Sequence, residues 1–121
     1  MAFLAIRGAT TCDQDSKEDI TKATQELVSL MMERNGLNQN QIVSILFTAT
    51  SDLVSEFPAT AARGLGLDDT PLMCAQELSI AGSMPRCIRV MMHVELSKNR
   101  SEIHHVFMGE ATQLRKDLAE D

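Results

Sequence analysis

Tryptophan and tyrosine are missing from this 121-residue chain, and phenylalanine occurs only four times. So few rings leave little with which to stack nucleic-acid bases. Basic residues are scarce as well: eleven Lys and Arg stand against seventeen Asp and Glu, a net charge of −6. Nucleic acid calls for a broad basic face, so this balance argues against such a partner. No apolar run approaches the length of a membrane span. The N-terminus lacks a basic region followed by a long apolar segment and a small-residue cleavage site. The three cysteines, Cys12, Cys74 and Cys87, are odd in number and form no C-x-x-C. That usage fits reduced thiols in a cytoplasmic protein. With His93, His104 and His105 far from the first two cysteines, a zinc site is not expected. Gly8 and the Gly64-x-Gly66 pair do not match a phosphate-cradling loop, and no Ser-His-Asp arrangement follows from spacing.

What is present organises into one α+β domain spanning 1–121, with no repeat, linker or low-complexity segment. Residues 3–10 read as a strand ending in Gly-Ala-Thr-Thr. Ser16, three before Asp19, marks a helix start. Ile20, Ala23, Leu27, Val28, Leu30 and Met31 then follow helical spacing up to the stop at Asn35-Gly36. Residues 42–50 are apolar enough for a central strand. Pro58 suits the first turn of a short helix over 59–63, which Gly64 and Gly66 end. Residues 67–73 are the third strand candidate, 77–85 a loop, and 86–96 the fourth strand. The segment 101–121 fits a helix or a short strand, with a loose polar tail from Lys116. The order is β-α-β-α-β-β. A mixed sheet with helices on one face packs such a chain, leaving the other face for partner subunits or the C-terminal segment.

One residue resists the apolar pattern. Arg89 interrupts Cys87-Ile88-Arg89-Val90-Met91-Met92. A guanidinium cannot be deprotonated, and burying it unpaired costs on the order of several kcal/mol. It must face water, an acid or an anionic ligand. Arg7 repeats the theme in Phe3-Leu4-Ala5-Ile6-Arg7-Gly8. Each alone reads as an interface ion pair; two in an acidic chain tilt the reading toward an anion site. Glu77 closes the apolar segment Leu72-Met73-Cys74-Ala75-Gln76, either as a solvent-facing acid or as an acceptor for a ligand hydroxyl. Cys74 has no base near it in sequence and reads as a small hydrophobe in contact at most. His104-His105 read as surface or packing residues, because adjacent side chains diverge. The eight methionines read as core filler.

These segments, taken together, resemble the monofunctional chorismate mutases of the bacterial trimeric pseudo-α/β-barrel type. The resemblance is carried by Ile6-Arg7-Gly8-Ala9-Thr10-Thr11, by Thr48-Ala49-Thr50-Ser51-Asp52-Leu53, and by Phe57-Pro58-Ala59 with Ala62-Arg63. It continues through Cys74-Ala75-Gln76-Glu77, Arg86-Cys87-Ile88-Arg89-Val90-Met91-Met92, His105-Val106-Phe107 and Leu114-Arg115-x-Asp117-Leu118. It implies a homotrimer with active sites at subunit interfaces. It also implies an isomerase turning chorismate into prephenate on the route to phenylalanine and tyrosine, with no cofactor and no metal.

Residue by residue, the resemblance gives Arg7 a substrate carboxylate, Arg89 the ether oxygen of the breaking bond, and Glu77 the ring hydroxyl. Cys74 would lie beside Glu77, within the substrate-binding segment Met73-Cys74-Ala75-Gln76. Phe57, Ala59, Arg63 and Met73 would line the site from a neighbouring subunit. Phe107 would wall it, and Arg115 would help close it. Two positions depart from the family pattern: Phe107 stands where a tyrosine is common, and Thr60 where a lysine occurs. Both remove polar reach toward an anion. Two other readings compete: a trimeric enamine/imine deaminase of related fold, and a non-catalytic binder of an anionic metabolite.

Overall fold

The computed structural model describes residues 1–114. Five strands form one mixed sheet. They are β1 (Ala2–Thr11), β2 (Ile42–Ala49), β3 (Leu72–Gln76), β4 (Cys87–Leu96) and the two-residue β5 (Val106–Phe107). With two α-helices, α1 (Lys17–Arg34) and α2 (Pro58–Arg63), the chain follows the β-α-β-α-β-β order expected from the sequence as far as β4, and β5 adds a short fifth strand. Across the sheet the strands run β3-β2-β4-β1-β5. β4 pairs antiparallel with both β1 and β2, while the outer pairs β2/β3 and β1/β5 are parallel.

Local chemistry explains the helix limits. The Ser16 side chain accepts from the Asp19 amide at 3.1 Å, as the spacing predicts. Asp19 itself turns back to accept from the Gln14 amide. At the other end Asn35 caps α1 and Gly36 follows at φ 61. Pro58 takes the first position of α2. Alternation along the strands then sends one set of side chains under the helices. Ile6, Ile45, Phe47, Val90, Met92 and Val94 form the core with Leu27, Val28 and Met31 of α1 and Ala59 and Ala62 of α2. Gly8 permits this contact: a Cβ there would come within 2.4 Å of Met31 Sδ.

The third strand is a correction. It begins at Leu72, five residues later than the expected start at 67. Leu67 is buried, but in the core beneath the helices, and Asp68-Asp69-Thr70-Pro71 turns the chain before pairing begins. An apolar residue was legible there; its partner was not. The segment after β4 resolves into short 3-10 turns at Arg100–Glu102 and Gly109–Gln113 flanking β5. Arg115 and the tail from Lys116 lie outside the described residues. Among the described residues, no helix is long and apolar enough to cross a membrane.

Candidate active site

The face of the sheet away from the helices carries the polar residues. Register places one row across all five strands: Phe107 of β5 opposite Ala9, Ala9 opposite Arg89, Arg89 opposite Thr48, and Thr48 opposite Ala75. The next row holds Arg7, Met91, Leu46 and Met73. Arg7 and Arg89 therefore sit on adjacent strands, on one face, one row apart. Their position inside apolar strands follows from alternation: only every second residue need be buried.

At the end of β3 the Glu77 amide donates to the Ala49 carbonyl, extending the ladder by one residue. That brings the Glu77 carboxylate back over the open face. Thr48 Oγ1 donates a hydrogen bond to Glu77 Oε2. Arg89 Nε lies 3.3 Å from the same oxygen, an ion pair with both side chains partly exposed, at 40% and 20%. The Nε itself is buried, and the pair lacks the alignment of a hydrogen bond. A charged donor is thus held by attraction and left undersatisfied. Thr48 was not singled out in the sequence, although it repeats the signal of Arg89: a polar residue inside an apolar strand.

A cleft of about 300 Å³ opens at this cluster, lined by Thr50, Glu77, Ile80, Met84, Cys87 and Arg89 among others. Burial pushes the Cys87 thiol above its usual range, and nearby Arg89 only partly offsets that. Beneath the cleft, Asp52 anchors the start of β4 by accepting from the Arg86 amide at 2.9 Å and from Thr50 Oγ1. Desolvation opposes the Asp52 charge, but the hydrogen bonds from Thr50 and Arg86 outweigh it and hold the carboxyl below its ordinary value. Arg86 itself adopts φ 49, a left-handed backbone uncommon outside glycine. It sets the turn from which Arg89 follows.

Arg7 reaches the other end of the row. Its guanidinium carbon lies 5.7 Å from the centroid of the buried Phe107 ring, within cation–π range. A second group of expected residues gathers at the β3 edge. Phe57, Ala59, Thr60, Arg63, Met73 and Cys74 line a separate cleft of about 340 Å³. Phe57 and Met73 are about two-thirds exposed there, at 68% and 67%. Cys74 pairs opposite Phe47 and packs against the core under the helices. Within one chain it shares the Phe57 cleft and not the Glu77 cleft. Ala75 and Gln76 line a third hollow with Phe57 and Cys74. One subunit thus brings Arg7, Glu77, Arg89 and Phe107 to one face, and gathers Phe57, Ala59, Arg63, Met73 and Cys74 at the β3 edge, with Met73 reaching that cleft from the open face.

The model for chorismate mutase type I matches residues 3–118. The chain belongs to that family. It is 42% identical over 114 residues to the chorismate mutase AroH of Thermus thermophilus, covering 93% of each chain. It is 38% identical over 120 residues to the chorismate mutase AroH of Bacillus subtilis, covering 98% of this chain and 94% of that one. Among solved structures, the chorismate mutase from Clostridium thermocellum matches with a TM-score of 0.90 at 46% identity, over 91% of this chain and 98% of that one. The expected family, fold and isomerase class therefore stand, and the deaminase reading gives way to them.

Proposed function

We propose that this chain isomerises chorismate to prephenate, with Arg89 as the residue that lowers the barrier. The observation that carries the reading is Arg89 and Glu77 paired at 3.3 Å beside an open cleft, with Arg7 one row away. The reaction is an intramolecular rearrangement and needs no nucleophile, proton transfer or metal. An enzyme can hold the enolpyruvyl arm over the ring in the reactive conformer. It can also stabilise charge as the ether bond breaks ahead of carbon–carbon bond formation.

Negative charge then grows on the ether oxygen. A fixed guanidinium acts on that oxygen more strongly in the transition state than in the ground state. Glu77 has two tasks: it orients Arg89 and accepts from the ring hydroxyl while complementing the cationic ring side. Thr48 holds Glu77 for both. Arg7 takes a substrate carboxylate, steadied over the Phe107 ring.

The functional unit is a homotrimer. Its support is the division of one chain into two groups of site residues, together with apolar Leu46, Met73 and Met91 on the open face. In the trimer the Phe57, Ala59, Arg63, Met73 and Cys74 group of one copy meets the Arg7, Glu77 and Arg89 group of the next. Unpaired Cys12, Cys74 and Cys87 suit a reducing cytoplasm.

Mixing purified protein with chorismate and following its ultraviolet absorbance tests the reading. Loss of the signal with prephenate as product is expected. Binding without turnover points instead to the non-catalytic binder of an anionic metabolite.

A further inference from the structure

We infer that His105 is a positioning residue for Arg7, a role that rests on the proposed contact of Arg7 with a substrate carboxylate. The β1/β5 ladder is only two residues long, pairing Gly8 with Val106 and Ala9 with Phe107. At Arg7 it has ended. There the Arg7 amide donates to His105 Nδ1 at 2.9 Å, across 98 positions of sequence. An imidazole nitrogen takes the place of the strand acceptor that β5 is too short to supply. To accept at Nδ1, the ring must carry its proton on Nε2.

His105 is itself held in place from the helix layer. Asn35, wholly buried at the end of α1, accepts from the His104 amide at 2.8 Å and donates to the His104 carbonyl at 2.9 Å. Its amide also donates to the Met31 carbonyl. This two-point grip mimics a strand pair and fixes the residue before His105. Two residues after His105, Phe107 lies beneath the Arg7 guanidinium. The segment 104–107 thus grips Arg7 twice: His105 at the backbone and Phe107 at the charged head. Misplacing a binding group by a small distance weakens the contacts it makes, so the imidazole bears on substrate affinity without touching substrate.

Two variants separate an acceptor from a packing ring. His105→Phe keeps a ring but carries no acceptor, whereas His105→Asn keeps an acceptor atom on Cγ. In His105→Phe, KM for chorismate should rise roughly three- to tenfold, the worth of one net hydrogen bond, with a smaller change in kcat. His105→Asn should restore KM, and the Arg7 amide should exchange with solvent faster in the first variant than in the second. Equal KM in the two variants, or unchanged Arg7 exchange in His105→Phe, overturns the inference. Nitrogen NMR of the unaltered protein supplies a test that needs no variant: a proton on Nδ1 also overturns it. Arg7→Ala measured in parallel tests the underlying reading. If that variant keeps its KM, Arg7 is no substrate ligand, and Arg7 amide exchange alone then decides whether His105 positions it.

Discussion

On the helix side of the sheet, Ile6, Met92, Ile45 and Leu72 meet in one register row, and Gly8, Val90, Phe47 and Cys74 in the next. On the open side, interleaved with them, stand Arg7, Met91, Leu46 and Met73, then Ala9, Arg89, Thr48 and Ala75. The same strands write both faces, with a period of two residues. The helix side is closed by apolar contact with α1 and α2, and its residues answer for stability. The open side holds cations that a closed core would reject, and the proposed site lies there. Substitutions on the two sides should therefore fail differently.

The largest effect on the helix side is expected from Phe47→Ala. Phe47 is fully buried in the core, and such truncations cost about 3–5 kcal/mol. Denaturant unfolding should show this loss, while turnover per folded molecule stays within about a factor of ten. Gly8→Ala comes next. The added Cβ meets Met31 Sδ at 2.4 Å and Leu27 Cδ1 at 3.1 Å, so overpacking should cost about 1–3 kcal/mol by the same assay. A large loss of turnover with unchanged stability in either variant would break the division between the faces.

On the open side, Thr48→Val removes the hydroxyl that holds Glu77. Its kcat should fall by roughly tenfold, the size of one charge-assisted hydrogen bond, with little change in the melting temperature. Steady-state kinetics beside thermal unfolding checks both halves. The smallest effect belongs to Phe107→Tyr. The added hydroxyl restores a polar contact for an anion, so KM for chorismate should hold or fall; a collapse of activity would mean the pocket is built differently.

Much of the open face was legible because charge is conspicuous among apolar neighbours. Arg7 and Arg89 announced themselves in that way, and Glu77 did so at the end of its segment. Thr48 did not, since threonine is at home in strands; its role became visible only once Glu77 folded back over β2. The Asn35 grip on His104 was hidden too. An asparagine beside Gly36 reads as a helix stop, which it is, and its second task depends on a segment 69 positions away. The 67–73 stretch misled because burial and strand pairing look alike in an apolar sequence. Leu67 has the first without the second. The trimer is a proposal, resting on the resemblance and on apolar Leu46, Met73 and Met91 on the open face.

Turnover of chorismate by Arg89→Lys bears most directly on the open face as a catalytic surface. Lysine keeps the positive charge but lacks the planar fork that, in the proposed mechanism, serves Glu77 and the ether oxygen together. The expected result is a folded protein with normal melting and kcat lowered by about a hundredfold or more. Near-normal turnover in that variant would contradict the role assigned to Arg89.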